Sequence, residues 1–311
     1  MPLPNFLIVG AHKSGTTSLY HYLRQHPQIY MSPQKEPGFF VYEDAPPDFT
    51  GPGIATLMRD KTTDIAAYRR LFDGVRDEVA IGEASGVYMQ QSRAVERIRH
   101  YVPEARIVAI LRDPASRVFW SFTQMRGNGY EPEADLRKAL AKEDERCAQN
   151  WGDAWYYRRK GFTHDILKQY IEAFGRDRVR VYLYDDLCDD PAKLLADLFT
   201  FLDVDPGFRP DVAQHFNVSG VPKFPRLHRL VAGPTALNRL ARRLLPFSTR
   251  SYIRARTIDR LQVRVRLDDA MRRELIAIYR DDILRLQELI GRDLQHWLDP
   301  SRTDAGTTNS E

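Results

Sequence analysis

Residues 10–18 read Gly-Ala-His-Lys-Ser-Gly-Thr-Thr-Ser and lie between an apolar run, Phe6 to Val9, and a stretch with helical spacing, Ser18 to Arg24. Glycines let the backbone turn so tightly that its N–H groups converge on an anion. The positive end of a following helix reinforces that field. Thr16, Thr17 and Ser18 add hydroxyl donors, and Lys13 adds a mobile cation. The chemistry open to this set is to hold a phosphate or a sulfate. Half of the nucleoside-triphosphatase loop is present: Gly10 and Gly15 have its spacing, but Thr16 stands where its lysine belongs. A second anion reader is Arg112, which follows the apolar run Arg106–Leu111. A guanidinium grips a phosphate at two points and stays charged at any working pH. It stands where a triphosphatase would place a magnesium-holding acid. Two acids complete the inventory, Glu36 beside Lys35 and Glu83 near a strand edge.

These groups need a scaffold, and the hydrophobic pattern supplies one. Strands are expected at 6–9, 28–31, 79–82, 106–111 and 178–184, with helices at 92–101, 115–125, 163–173 and 191–202 between them. Such alternation predicts an α/β fold, a central parallel sheet flanked by helices. His26-Pro27 closes the first helix, because a residue before proline is pushed out of the helical region. Residues 42–63, rich in Pro, Gly, Asp and Thr, read as one long surface loop. A long amphipathic helix, Asp268 to Ile290, makes the C-terminal region helical. The organisation expected is a single domain over 1–302 with a polar, unordered tail over 303–311.

Taken in order, the motifs resemble one family. Gly10–Ser18 resembles the 5′-phosphosulfate loop of sulfotransferases that use 3′-phosphoadenosine 5′-phosphosulfate (PAPS), and Leu111–Arg117 resembles their 3′-phosphate motif. Lys35-Glu-Pro-Gly-Phe-Phe40 is similar to the lysine–glutamate segment of the bacterial and heparan-type carbohydrate sulfotransferases. Ile81–Ser85 with Tyr88, Val181–Leu187, and Leu289–Leu294 with Trp297 fit the bacterial members. The resemblance runs through nearly the whole chain. It implies a P-loop-like phosphosulfate-binding loop, PAPS as donor, no metal, and a hydroxyl or amine acceptor on a carbohydrate, glycolipid or small metabolite. It assigns Lys13, Ser14, Gly15, Thr16, Thr17 and Ser18 to the 5′-phosphosulfate, Arg112 to the 3′-phosphate, Tyr184 to the neighbourhood of the adenine, and Lys223, in the loop Ser219–Lys223, to closure over the 3′-phosphate. The family serine eight residues after Arg112 is replaced by Trp120, with Ser121 next to it, about 100° further round a helix.

For the chemistry, the resemblance implies Glu36 as general base, Lys13 on the bridging oxygen and Lys35 on the sulfuryl oxygens. Burial against Pro37, Phe39 and Phe40 is expected to lift the Glu36 carboxyl towards neutrality. Glu83 is the second candidate base, and His26 the third, since sulfotransferases of small molecules use a histidine. Two other readings stay open: a P-loop small-molecule kinase, and a non-catalytic nucleotide-binding interaction protein.

Composition bounds the rest. The chain has 311 residues, 43% hydrophobic and 28% charged, which excludes disordered, collagenous and coiled-coil classes. Cys147 and Cys188 lie far apart, and no secretory leader is visible, so reduced thiols and a cytoplasmic location are expected. The net charge is +4, yet Arg226–Arg266 carries eleven arginines against one acid, Asp259. Three readings compete for this segment: a lid over an anionic acceptor, a contact with an anionic membrane surface to reach a glycolipid, or a solvated helical cap. Nucleic acid is not an expected partner, since no binding motif accompanies the charge.

Overall fold

In the computed structural model, residues 2–44, 48–212, 221–222, 262–263 and 266–302 are described. The basic segment lies almost wholly outside them, as do Lys223 and the tail 303–311. The described chain runs β1 (Phe6–Gly10), α1 (Thr16–Leu23), β2 (Ile29–Met31), α2 (Phe39–Tyr42), α3 (Ile54–Met58), α4 (Ile65–Arg70) and β3 (Ala80–Ala84). It continues through α5 (Ser92–Tyr101), β4 (Arg106–Leu111), α6 (Pro114–Gly127), α7 (Leu136–Ala141), α8 (Glu143–Ala148), α9 (His164–Phe174), β5 (Val179–Leu183), α10 (Tyr184–Asp189), α11 (Pro191–Phe201) and α12 (Asp269–Ile290). The expected long loop over 42–63 is therefore interrupted by α3, and Tyr184 starts a helix rather than closing a strand.

Strands β1 to β5 form one parallel sheet in the order β2-β3-β1-β4-β5. A parallel sheet is covered on both faces, which is why β1 can be apolar at every position. Successive side chains of β1 alternate between two cores. Phe6 and Ile8 join Leu19, Leu23, Leu195 and Phe199 on one face, while Leu7 and Val9 join Val95, Ile98, Tyr170 and Leu275 on the other. Each such fully buried side chain contributes about 1.5–3 kcal/mol. Gly82 pairs with Phe6, and a Cβ at Gly82 would lie 2.1 Å from the Phe6 ring, so only glycine admits this register.

From β1 the chain crosses through α1 to β2 on one side; from β3 it crosses through α5 to β4 on the other. A crevice opens at such a switch point, beyond the carboxyl ends of the strands. There the loops after β1, β3 and β4 meet. The long α12 packs on α6 and α9, with Met271, Leu275, Tyr279, Ile283 and Leu286 buried at helical spacing. Asp268 caps its start by accepting from Met271 N, and Gly291 ends it in the left-handed region at φ 64°. Among the described residues no helix is long and apolar enough to cross a membrane.

Candidate active site

The loop after β1 is built around Ser14. Ala11 N donates to Ile110 O of β4 at 2.7 Å, and Ser14 N to Ala11 O at 3.3 Å, which closes the turn. Lys13 and Gly15 take left-handed conformations at φ 63° and 95°. A side chain at Gly15 would lie 2.8 Å from Leu187 and 3.1 Å from Tyr184. Among the described residues no side chain caps the start of α1, which leaves its first backbone N–H groups open to a ligand. Ser14 is fully buried, and its Oγ has no hydrogen-bond partner among the described residues. A buried hydroxyl without a partner is costly unless a ligand or water completes it. Thr16 is buried and Thr17 and Ser18 half-buried in the same first turn. Burial, with Arg112 and Lys35 nearby, lowers the Lys13 ammonium to about 8. These donors fit a phosphate or sulfate group.

Arg112 leaves β4 towards this loop. Its Nη1 donates to Lys13 O at 3.3 Å, and its guanidinium carbon lies 4.3 Å from the centre of the Tyr184 ring. The expected donor-site residues Lys13, Ser14, Gly15, Thr16, Arg112 and Tyr184 thus converge. Trp120 is 3% exposed and belongs to the core. Ser121, one position round α6, is half-buried, and its side chain makes no hydrogen bond among the described residues, so nothing here ties it to Arg112. Val221–Pro222 runs alongside α6, just ahead of Lys223.

On the other side of Lys13 lies a second group. The Glu36 backbone is left-handed, φ 61°, an uncommon state for a residue with a side chain. The carboxyl end of β3 pins it there: Glu36 N donates to Ala84 O and Gly86 N donates to Glu36 Oε2, both at 2.9 Å. Lys35 Nζ bonds Glu36 Oε1 at 2.7 Å, and Lys61 Nζ donates to Glu36 O at 2.8 Å. Burial alone would raise this carboxyl, but Lys35, His12 and Lys61 outweigh it and hold it at about 2. This corrects the expected lift towards neutrality. Phe39 and Phe40 are no wall around the carboxylate; they stack in the core against Tyr68, Tyr88 and Tyr101. Glu83 carries the shift that Glu36 lacks. Fully buried, with Ser85 Oγ donating at 2.9 Å and Tyr68 OH at 3.3 Å, it is raised to about 7, chiefly by burial. His26 lies elsewhere: its Nε2 meets Asp205 O at 3.0 Å, Gln28 N donates to its Nδ1 at 3.1 Å, and Phe199 and Phe208 flank its ring.

Two further members escaped sequence reasoning. His12 lies against Gly86 and Glu36, lowered to about 4 by burial, so its ring is neutral near pH 7. Its signal was present in the loop motif, one residue before Lys13. Lys160, half-buried and 3.3 Å from Asp153, faces the same group across an ion pair. No spacing in the sequence announces that pair.

The comparisons bear on the family and the fold. A model described as the sulfotransferase family matches residues 88–209. A solved sulfotransferase from Alicyclobacillus acidocaldarius is 34% identical, with a TM-score of 0.75 over 96% of this chain and 100% of that one. The chain belongs to the sulfotransferase family. The membrane-associated sulfotransferase kil1 of Dictyostelium discoideum is 30% identical over 115 residues, 37% of this chain and 21% of the relative. Human heparan sulfate glucosamine 3-O-sulfotransferase 3B1 is 24% identical over 256 residues, 81% of this chain and 59% of the relative. The chain spans less than two thirds of the length of these curated relatives. Within the family fold, the parallel sheet presents the Ser14 loop, Arg112 and Glu36 beyond the carboxyl ends of its strands.

Proposed function

We propose that this family member transfers the sulfuryl group of PAPS to a hydroxyl, or an amine, of a carbohydrate or smaller polar acceptor. The observation that carries the reading is the buried, unpartnered Ser14 Oγ between Lys13 and the uncapped start of α1, with Arg112 and Tyr184 alongside. When bound, the donor supplies an activated sulfuryl group with a good leaving group. The chain's share is positioning and charge stabilisation. Ser14 to Ser18 and Lys13 hold the 5′-phosphosulfate, and Lys13 offsets charge on the bridging oxygen. Arg112, supported by the Tyr184 ring, reads the 3′-phosphate; Lys223 is proposed to close over it. Lys35 faces the sulfuryl oxygens.

Glu36, ionised at working pH, accepts the acceptor's proton. Its neighbour His12 is neutral and able to share that proton. The acceptor class rests on relatives whose names specify carbohydrate and heparan sulfate. The kinase reading is disfavoured by Asp113, the acid after β4. Its carboxylate is committed to Arg272, at 2.6 Å in a fully buried ion pair, rather than open to a cation.

Calorimetry with the product nucleotide PAP and with ATP-Mg tests the donor, and transfer of labelled sulfate to polysaccharide, glycolipid and metabolite extracts tests the reaction. PAP binding with label on an acceptor is the expected result. Preference for ATP-Mg, with phosphate transferred instead, would overturn it.

A further inference from the structure

The residue beside the 3′-phosphate reader has an unusual partner. Asp113 caps α6, accepting from Ala115 N at 3.0 Å through Oδ1. Through Oδ2 it accepts from Ser116 Oγ and from Arg272 Nη2, both at 2.6 Å. Arg272 also donates to Ser116 Oγ at 3.3 Å and to Asp299 O at 3.2 Å. The side chains of Arg272 and Asp113 are 3% and 2% exposed. Asp113 has another cation closer in sequence: Arg117, four residues on, is buried, and all three of its guanidinium nitrogens lack a hydrogen-bond partner among the described residues. The carboxylate nevertheless bonds an arginine 159 residues away. Arg272 lies outside the residues 88–209 that the family model matches.

This arrangement divides two neighbouring residues between two tasks. Arg112 turns towards Lys13 and Tyr184, and Asp113 turns towards α12. Pro114 fixes the next backbone angle at the first position of α6. The direction in which Arg112 leaves β4 is therefore set by a cap whose own orientation Arg272 holds. Removing one partner of a buried ion pair leaves the other uncompensated, and the cap must then re-form around a different neighbour.

We propose that Arg272 is a positioning residue of the donor site: from α12 it holds Asp113, aims Arg112 at the donor's 3′-phosphate, and couples donor binding to the seating of α12. The proposal rests on Arg112 reading that phosphate, as argued above. Coupling is reciprocal, so a ligand that Arg112 grips must in turn steady α12.

The test uses the full chain, as wild type, Arg272→Lys and Arg272→Met, titrated calorimetrically with PAP and with adenosine 5′-phosphate, which lacks the 3′-phosphate. The wild type should prefer PAP. Arg272→Met should cut that preference by about tenfold, the worth of one misplaced charge-assisted hydrogen bond, while adenosine 5′-phosphate binds as before; Arg272→Lys should restore most of it. Amide exchange gives a readout that needs no variant: in the wild type, PAP but not adenosine 5′-phosphate should slow exchange in the first turns of α12. Equal loss for both nucleotides in Arg272→Met, or α12 exchange indifferent to PAP, would make Arg272 a scaffold residue and overturn the proposal. A wild type that shows no preference for PAP would overturn instead the donor reading beneath it.

Discussion

The two sides of the crevice are built on opposite plans. The side proposed for the donor is local: Lys13 to Ser18 are contiguous, and Arg112 and Tyr184 follow directly on neighbouring strands β4 and β5. The side proposed for the acceptor is assembled from afar, with His12 from the loop after β1, Lys35 and Glu36 from the segment after β2, Lys61 from a later loop, Gly86 from the end of β3, and Asp153 with Lys160 from the chain beyond α8. A contiguous loop fixes geometry through backbone turns. A dispersed cluster fixes charge, because each member tunes the others. The donor side should therefore answer to loss of single contacts, and the acceptor side to changes in protonation.

The sharpest division of the two sides comes from Glu36→Gln. It keeps the size of the side chain and removes the proton acceptor, so turnover should fall by about 10²–10⁴, the usual worth of acid–base catalysis, with PAP affinity unchanged by calorimetry. A parallel loss of PAP binding would mean that the two sides are one unit. With its carboxyl held at about 2, no acid limb from Glu36 should appear in the turnover profile near neutrality.

Next in size is a contrast in stability. Glu36 and Glu83 are shifted in opposite directions. The folded state holds Glu83 at about 7 against an ordinary 4.5, so its contribution is fully present below about 4.5 and is lost as pH rises through 7. That swing is on the order of 3 kcal/mol at 1.36 kcal/mol per unit. Glu36, held low, contributes stability above 4.5 that is lost as pH falls towards 2. In urea melts across pH, Glu83→Gln should gain on the wild type between pH 5 and 7.5, and Glu36→Gln should lose least to it in acid. The same sign for both variants would show that the two carboxyls share one environment.

How much of this was readable beforehand follows from the same division. The apolar β1, the turn after it and Arg112 at the end of β4 are local patterns, and in the structure Arg112 donates to the backbone of that turn. The ionisation of Glu36 departs from the sequence expectation because Phe39 and Phe40, its apolar neighbours in sequence, turn into the core. Lys35 beside it opposes burial most strongly, joined by His12 from the loop after β1 and by Lys61, 25 residues on in a stretch that reads as loop. Arg272 is one more polar position on an amphipathic helix until Asp113 is placed beneath it. Contacts across more than a hundred residues leave no spacing to read.

A donor-side contact should behave more simply. Arg112→Ala should weaken PAP binding by about 1.5–3 kcal/mol, the range for a hydrogen bond to a charged group. Adenosine 5′-phosphate should be nearly indifferent to the change. Equal losses for the two nucleotides would remove Arg112 from the 3′-phosphate.

The smallest effect is the one in which the two sides touch, at Lys13. Its ammonium is held at about 8, against an ordinary 10.5, by burial and by the charges of Arg112 and Lys35. A bound 5′-phosphate offsets all three, so the complex must hold the proton more tightly than the free protein. PAP binding should accordingly take up protons near pH 8, and its affinity should fall by about tenfold between pH 7 and 9, as a one-proton linkage requires. Lys13→Arg keeps the charge over that range and should flatten the profile while binding PAP. Lys35→Met removes one of the depressing charges and should move the fall to higher pH, although Lys35 lies on the acceptor side. Calorimetry in buffers of different ionisation enthalpy counts the proton directly. A profile unchanged in Lys35→Met would show that burial and Arg112 alone set the Lys13 ammonium, and that the two sides of the crevice do not communicate through it.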